Sequence, residues 1–421
     1  MRYKLADVAE INPSNSVNIS SFEKIRYLDT ANLNQGKIDK LVEYTRGIDK
    51  VPSRAKRLVK CNDILYSTVR PNQKHFGIYK YQAEIIASTG FAHLRVDINK
   101  ADPDYVYWLL TQEKVIDYLQ AIAEASTSTY PSIKPSVIGH LEFDFPSLIK
   151  QKKAVEVLNN ISRKIDINNQ LVKRLEDISQ TIYKHWFIDF EFPNENGQPY
   201  KSSGGKMVES ELGMIPYSWE YRELDEISNV KIGRTPPRKE AEWFTDNSVG
   251  VKWVSIKDMG NSIGPYIFES SENLTYEAVT KFKINIVPEN TLIMSFKLTV
   301  GRLNITDERL ATNEAIASFE FKDPDLFTEY LYLYLSNFDF NSLGNTSSIG
   351  TAVNSKVVKK IKVLIPDSQI LQALKKEIIP LFELIKLKTK EINTLNSLRN
   401  ILLPKLLSGE IELPIKENVE N

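Results

Sequence analysis

The chain has 421 residues and a mass of 48.2 kDa, which exceeds the size at which one hydrophobic core usually stops growing, so two or three domains are expected. Its 42% apolar and 26% charged residues exclude a largely disordered chain. The 54 basic and 54 acidic side chains cancel, which excludes a polycation that binds nucleic acid through its net charge.

The first segment, MRYKLADVAEINPSN, carries charges and lacks the apolar stretch of a secretory signal. No run of about 18 uncharged apolar residues follows, so we expect a cytoplasmic protein with no membrane partner. Cys61 is the single cysteine, which excludes an intramolecular disulfide and a thiolate zinc cluster. The four histidines are isolated in the sequence, so no metal site is expected.

Residues 1–146 contain short apolar runs bounded by turn residues, such as DILYSTV (63–69) and HLEFDFP (140–146). A helical pattern covers 104–121 between them. This alternation predicts an α+β half with a small mixed sheet.

A basic segment covers residues 45–75 of this half. It contains eight Lys or Arg side chains and two Asp, a surplus of six positive charges in a neutral protein. Such charges complement phosphates, and Arg side chains among them can reach base edges. The alternative is that they are solvated surface loops.

Residues 147–190 predict one long amphipathic helix, in which residues 147–187 would span about 60 Å at about 1.5 Å per residue. Seven of the nine positions of its heptad stripe are apolar. The positions are Leu158, Ile161, Ile165, Asn168, Val172, Leu175, Ser179, Ile182 and Trp186.

The stretch PNENGQPYKSSGGKM (193–207) is rich in Asn, Gly, Pro and Ser, so residues 191–216 predict a flexible linker. Residues 217–365 then repeat the pattern of the first half, with NTLIMSF (290–296) and KIKVLIP (360–366) as strands.

Residues 366–407 predict a second long helix, and 408–421 form a tail. The stripe of this helix also has seven apolar residues in nine: Ile378, Leu381, Ile385, Lys388, Ile392, Leu395, Arg399, Leu402 and Leu406. Pro380 predicts a kink or a fresh helix start.

The two halves are copies of one unit. Leu5 and Val8 correspond to Leu224 and Ile227 at a shift of 219, and the two helices correspond at a shift of 220. The polar interruptions of the two stripes fall at equivalent places, where polar residues fix register. We therefore expect the two helices to pack on each other; the alternative is that each helix is buried against its own half.

Catalytic motifs are weak. The NPSN sequence (12–15) lacks the second proline and aromatic ring of the amino-methyltransferase loop, and no G-x-G motif follows a strand. Gln112 stands where a nuclease of the PD-(D/E)-x-K type has an acid. SGGKM (203–207) lacks the first glycine of a phosphate-binding loop, and His185 fits helix packing better than catalysis.

The whole chain resembles the specificity subunit of Type I restriction-modification enzymes. The resemblance rests on PSLIKQKKAVEVL (146–158), YKHWFIDFEFP (183–193), NGQPYKSSGGKM followed by ELGMIPYSWE (211–220), and LLPKLLSGEIEL (402–413). One departure is Leu371, which stands where the first copy has Gln151.

The resemblance implies a non-catalytic DNA-binding subunit with two target recognition domains, separated by an antiparallel coiled coil of the two helices. Each domain would read one half of a bipartite asymmetric DNA site, and the helices would fix the spacer. Two modification subunits carrying S-adenosylmethionine would dock on the helices, and restriction subunits would add ATP- and Mg-dependent translocation and cleavage. This chain itself would hold no cofactor.

Ten basic residues are the candidate contacts to double-stranded DNA. They are Arg54, Lys56, Arg57, Arg70 and Lys74 in the first half, and Arg234, Arg238, Lys257, Lys297 and Arg302 in the second. The twelve apolar stripe residues from Leu158 to Ile182 and from Ile378 to Leu402 form the predicted interhelix seam. An alternative function is a coiled-coil adaptor whose globular halves bind a partner other than DNA, and a fused methyltransferase or nuclease is disfavoured by the weak motifs.

Overall fold

The computed structural model describes residues 2–13, 21–126, 130–245, 249–343 and 353–414. The last part of the predicted tail, residues 415–421, lies outside the described residues.

The first half is α+β. Its strands are β1 (Arg2–Lys4), β2 (Ala9–Ile11), β3 (Lys24–Leu28), β4 (Leu33–Asn34), β5 (Lys37–Ile38), β6 (Val42–Thr45), β7 (Ala55–Val59), β8 (Ile64–Ser67), β9 (Phe76–Ile78), β10 (Ile85–Ser88), β11 (Phe91–Val96) and β12 (Glu142–Asp144). Its helices are α1 (Leu5–Val8), α2 (Pro103–Leu110), α3 (Glu113–Glu124) and α4 (Pro135–Gly139), followed by the long helix α5 (Leu148–Phe187).

These strands form two four-stranded sheets, with orders β2-β11-β8-β9 and β6-β3-β10-β7. Strand β10 runs parallel to β3 and antiparallel to β7, so the second sheet is mixed. Strands β1 and β12 form a separate antiparallel pair. Helix α2 begins at Pro103 because the Asp102 side chain accepts hydrogen bonds from the amides of Asp104 and Tyr105, and proline at the first helical position needs no amide partner.

Residues 191–216 are more structured than their linker composition predicts. They contain an antiparallel hairpin of β13 (Met207–Ser210) and β14 (Gly213–Pro216). The Phe192 ring stacks on Tyr200 and Trp219, with centroid distances of 4.5 and 4.9 Å. Aromatic burial therefore fixes a segment that glycine and serine content alone would leave free.

The second half repeats the order of the first. Its strands are β15 (Glu220–Glu223), β16 (Ser228–Ile232), β17 (Phe244–Thr245), β18 (Val251–Val254), β19 (Tyr266–Ile267), β20 (Glu272–Leu274), β21 (Leu292–Ser295), β22 (Leu303–Thr306), β23 (Ala311–Thr312), β24 (Ile316–Phe321) and β25 (Lys362–Ile365). Its helices are α6 (Leu224–Ile227), α7 (Ile256–Asn261), α8 (Tyr276–Lys281), α9 (Thr328–Ser336), α10 (Ser355–Lys359) and the long α11 (Ser368–Ser408).

The sheet orders confirm the predicted duplication. Strand β15 pairs with β25 as β1 pairs with β12, and the order β16-β24-β21-β22 repeats β2-β11-β8-β9. The predicted α+β class with mixed sheets is also confirmed, because β18 runs parallel to β23 in the second small sheet.

The chain divides into two compact units, and both boundaries fall inside the long helices. One unit contains residues 1–164 and 395–421, and the other contains residues 165–394. Each unit therefore holds one globular half together with the start of one long helix and the end of the other, which is an antiparallel pairing. In the first unit, Val155 and Leu158 of α5 share a core with Leu403 and Leu406 of α11.

Helix α11 is continuous through Pro380. The fresh start predicted at this residue does not occur, because proline removes one backbone hydrogen bond without preventing the neighbouring turns from packing. Ile378 and Phe382, on either side of it, are 0% and 1% exposed, so tertiary burial stabilises this stretch.

Candidate nucleic-acid interface

A hairpin loop of the first half carries two of the predicted DNA-binding residues. It connects β8 to β9, and the Ser67 amide donates to the His75 carbonyl at 2.9 Å to close it. Arg70 is exposed, and its guanidinium lies 5.5 Å from the centre of the Tyr130 ring. The Lys74 ammonium pairs with Glu113 of α3 at 2.5 Å. This loop therefore presents one cation to solvent and neutralises the other.

Arg54 lies on a neighbouring loop. Its carbonyl accepts from the Thr89 amide at 2.9 Å, and the Gly90 carbonyl accepts from the Thr68 amide at 2.9 Å. These two bonds join the Arg54 loop to the start of the Arg70 hairpin. Two exposed guanidinium-bearing segments thus meet at one edge of the first half.

The other two candidates of the first half, Lys56 and Arg57, are consecutive residues of strand β7 and point to opposite faces. Lys56 is exposed, whereas Arg57 is 8% exposed, and burial lowers the pKa of its guanidinium. Consecutive strand residues point to opposite faces, so one of this pair points to solvent and the other into the protein.

The equivalent hairpin of the second half connects β21 to β22 and carries Lys297 and Arg302. The Ser295 amide donates to the Arg302 carbonyl at 2.9 Å. The Arg302 Nη1 donates to the Ile256 carbonyl at 2.8 Å, which joins the hairpin to the start of α7, where Lys257 is exposed. Three candidate cations of this half therefore lie on connected segments.

Arg234 and Arg238 lie on the loop after β16, and both make contacts within the second half. Arg234 Nη1 donates to the Phe282 carbonyl at 2.6 Å. Arg238 Nη1 donates to both carboxylate oxygens of Glu272, and its guanidinium lies 4.4 Å from the Trp253 ring centre. Stacking and pairing with a carboxylate hold the Arg238 guanidinium within the second half, so we interpret it as a structural arginine.

The predicted seam residues differ in burial. Seven are buried: Leu158, Ile165, Val172, Leu175, Ile378, Ile385 and Ile392. Five are half-buried: Ile161, Ile182, Leu381, Leu395 and Leu402. Asn168 and Ser179, the polar interruptions of the first stripe, are 1% and 0% exposed, and Ser179 Oγ donates to the Leu175 carbonyl.

The buried stripe of α5 leaves the heptad after Ser179. Tyr183 and Phe187 are buried, whereas Ile182 and Trp186 of the predicted stripe are half-buried. Steps of four residues replace the alternation of three and four, which shifts the buried face around the helix. The cause is the aromatic core of the second half, because Phe187 packs on Tyr330 at 5.3 Å and on Trp219 at 5.1 Å.

In the second unit the globular half docks directly on the helix pair. Gly264 has φ of +67°, and a Cβ built there would lie 3.1 Å from Val172 of α5 and 3.8 Å from Ile385 of α11. Glycine is required at such a point because its backbone is left-handed and close to both helices.

An ion-pair clamp lies beside this contact. Asp307 accepts from Lys386 at 3.0 Å and from Lys390 at 2.8 Å. Burial opposes ionisation of this carboxyl, but the two lysines lower its pKa below the ordinary value. Sequence patterns carry no signal for this clamp, since the partners are about 80 residues apart and both lysines fall at polar positions of the helix pattern.

Hydrogen bonds anchor the first half on helix α5. The Gln151 side chain accepts from the Asp102 amide at 2.8 Å and donates to the Pro146 carbonyl at 2.8 Å. The Trp108 indole donates to Asn159 at 3.0 Å. Leu371 replaces this glutamine in the second copy and is 2% exposed, so an apolar contact takes the place of the polar anchor.

Across the described ranges, no three His, Cys, Asp or Glu side chains lie close enough to hold a metal ion. A helix long and apolar enough to cross a membrane is also absent from this part of the chain.

The fold is that of a duplicated α+β protein whose repeats share two long antiparallel helices and present basic hairpins at equivalent positions. The family model described as Type I restriction modification DNA specificity domain matches residues 1–177 and again 216–397. These two matches cover most of the chain, so the chain belongs to this family and is a DNA specificity subunit.

Proteins of similar sequence include specificity subunits of Type I restriction enzymes. The chain is 24% identical over 463 residues to the Type I restriction enzyme HindI specificity subunit of Haemophilus influenzae, with 97% of this chain and 99% of the relative covered. It is 27% identical over 317 residues to the Type I restriction enzyme MjaIX specificity subunit of Methanocaldococcus jannaschii, with coverage of 74% and 69%.

A solved structure shares the fold. The Type-I restriction-modification system S subunit from M. genitalium aligns with a TM-score of 0.57 at 12% identity, covering 98% of this chain and 96% of that one. The predicted family and fold class are thus confirmed, and the adaptor alternative is disfavoured.

Proposed function

We propose that residues 1–146 and 217–365 each read one half of a bipartite, asymmetric DNA site. Residues 147–190 and 366–407 are the spacer helices, with 191–216 as the linker between the copies. The observation that carries this proposal is the duplicated basic hairpin, which carries exposed Arg70 in the first copy and exposed Lys297 in the second. Divergent sequences on an equivalent frame are what reading two different half-sites requires.

The set of cations proposed to contact DNA is smaller than the ten candidates predicted from the sequence. Exposed Arg54, Lys56 and Arg70 of the first half and exposed Lys257 and Lys297 of the second remain in it. Lys74, Arg234 and Arg302 leave it, because each of them bonds to another residue of its own half. Arg57 is buried, and the Arg238 guanidinium is paired and stacked, so both act as structural residues in this proposal.

The spacer helices have a second role, as the docking surface for two copies of one methyltransferase subunit. Ile167 and Ile178 of α5 are 53% and 47% exposed, and Leu387 and Leu398 of α11 are 63% and 42% exposed. The pairs correspond at the shift of 220 that relates the two helices. Residues 11 apart lie on one face of a helix, about 16 Å from each other. A repeated apolar pair fits a partner that binds twice.

Methyl transfer then belongs to the partners and not to this chain. S-adenosylmethionine would be held by the two methyltransferase subunits, and ATP and Mg by restriction subunits that join the complex. The chain acts in the cytoplasm, where the host DNA is.

Native mass spectrometry of the chain with its cognate methyltransferase tests the docking surface. The wild-type chain should bind two copies. Combining Ile167→Glu with Ile178→Glu should leave one, and Leu387→Glu with Leu398→Glu should also leave one, because each pair serves one partner. Ile188→Glu, at a 51% exposed isoleucine beyond the end of α5, is the matched control and should bind two. Two bound copies in both double variants would contradict this surface.

The salt dependence of binding between the assembled complex and its target duplex tests the proposed phosphate contacts. Each phosphate contact contributes about 0.9 to the slope of log K against log salt. Arg54→Ala and Lys297→Ala should each lower the slope by about that amount and weaken binding to all duplexes alike. Lys201→Ala, an exposed lysine of the linker, should leave the slope unchanged. An unchanged slope in the first two variants would place both side chains away from DNA.

A further inference from the structure

The tips of the two equivalent hairpins share an unusual backbone conformation at one position. Arg70 and Leu298 are each the third residue after the outgoing strand, which ends at Ser67 in one copy and at Ser295 in the other. Both are left-handed, with φ of 47° and 62°. Non-glycine residues seldom adopt this conformation, and bulky ones such as leucine least of all. The position is therefore built into the repeated unit, while its side chain differs between copies.

The returning side of the loop repeats as well. Lys74 and Gly301 are each the second residue before the incoming strand, and both have positive φ, at 57° and 86°. The second loop is one residue shorter, so the shared frame tolerates a deletion between these two points without losing either.

Leu298 is presented to solvent by a fixed loop. Its side chain is 89% exposed, the highest value among the exposed large apolar residues described. The Gly301 amide donates to the Ser295 carbonyl at 2.9 Å, and a Cβ on Gly301 would lie 2.6 Å from the Phe340 ring. The base of the hairpin is therefore packed while its tip is not. An exposed apolar side chain on a strained backbone is costly in the free protein, which points to a role in a complex.

Arg70 is fixed in the corresponding way. Its amide donates to the Pro131 carbonyl at 3.0 Å, and its guanidinium lies over Tyr130. Stacking on an aromatic ring leaves the edge of the guanidinium, with its donors, available to a second group.

We propose that this hairpin-tip position reads one base pair in each half-site: Arg70 binds guanine in the first, and Leu298 contacts the thymine methyl group in the second. The planar fork of arginine matches the O6 and N7 acceptors of guanine in the major groove. Leucine has no donor or acceptor, and the thymine methyl is the apolar feature that the major groove displays. The inference rests on the proposed function, since it assigns chemistry to the same hairpins.

Replacing single thymines by deoxyuridine tests Leu298, because this change removes the methyl group alone. The wild-type complex with its methyltransferase should methylate the duplex about fourfold more slowly at one substituted position, which is the effect of about 0.8 kcal/mol for one buried methyl. Leu298→Gly, which keeps the positive φ without strain, should lose this sensitivity. Leu212→Gly, at a 57% exposed leucine of the β13–β14 turn, should retain it. Equal sensitivity in Leu298→Gly and wild type would overturn the assignment.

Motif mapping of methylated DNA tests Arg70. Changing the guanine read by wild type should slow methylation roughly 5- to 150-fold, as expected for a bidentate pair. Arg70→Leu should lose that preference in the first half-site and leave the second half-site unaltered. An unchanged motif in an active Arg70→Leu complex would overturn the proposal.

Two other outcomes separate this inference from the proposed function. If Leu298→Gly fails to bind the methyltransferase in native mass spectrometry, the tip contacts protein and the base-reading role is wrong. If the wild-type complex methylates DNA with no bipartite motif, the proposed function itself fails. A bipartite motif that is indifferent to both tip variants would refute the tip assignment alone.

Discussion

Replacing Gly264 by alanine measures the contact between the second globular half and the helix pair. Two costs add at this residue. The left-handed backbone, at φ of +67°, costs an alanine about 1–2 kcal/mol. The new Cβ would also lie 3.1 Å from Val172 Cγ1, closer than ordinary contact, and overpacking of this kind costs about 1–3 kcal/mol.

Gly197→Ala separates these costs. Gly197 belongs to the same unit and has φ of +72°, and a Cβ added there would have no described atom within 4 Å. It should therefore cost only the backbone term, about 1–2 kcal/mol. We expect Gly264→Ala to lower the free energy of unfolding by at least about 1 kcal/mol more than Gly197→Ala, because overpacking acts at Gly264 alone.

A second background identifies the crowding partner. Val172→Ala removes the methyl group nearest to the new Cβ, so the extra cost of Gly264→Ala should vanish in that background. Equilibrium urea unfolding followed by tryptophan fluorescence is suitable, because Trp186, Trp219, Trp243 and Trp253 all lie in residues 165–394. If Gly264→Ala costs no more than Gly197→Ala, or if the extra cost persists without Val172, the loop does not dock on the helices as described.

Two further predictions concern buried polar groups of the same unit. Glu329 is 4% exposed, and burial raises the pKa of its carboxyl. The folded state therefore binds this proton more tightly than the unfolded state does. The free energy of unfolding should fall as pH rises above the ordinary glutamate pKa of about 4.3. Glu329→Gln should remove this fall, and urea midpoints from pH 4 to pH 8 that decline in parallel for variant and wild type would contradict it. Asn168 is 1% exposed, and its Nδ2 has no hydrogen-bond partner among the described residues, so Asn168→Leu should raise the free energy of unfolding by about 1 kcal/mol. Ser179→Ala, at a serine that bonds to the Leu175 carbonyl, is the control and should give no gain in the same urea titration.

The duplication and the long helices could be predicted because both are periodic. Apolar spacing gives a helix whatever it packs against, and a repeated pattern such as Leu5 and Val8 with Leu224 and Ile227 marks one fold used twice. All four of these residues are buried, with exposed fractions of 4% or less. The continuity of α11 through Pro380 could not be predicted, because it depends on the burial of Ile378 and Phe382 against other elements.

The candidate interface was only partly predictable. Charge counting finds basic segments but cannot tell exposed Lys56 from buried Arg57, since strand alternation decides which side chain points inward. It also cannot find Leu298, which carries no charge and is distinguished by its exposure and its positive φ. Burial and backbone conformation are set by tertiary structure, so the residues of the site can be chosen among the candidates only once that structure is known.

The most direct test of the central claim is to map adenine methylation across host DNA by single-molecule sequencing, after co-expression of the chain with its cognate methyltransferase. Two short motifs separated by a fixed gap are expected. Replacing residues 1–146 by the same region of a relative should change one motif and leave the other motif and the gap intact. A single continuous motif, or an exchange that alters both motifs together, would contradict the claim that each half reads its own part of the site.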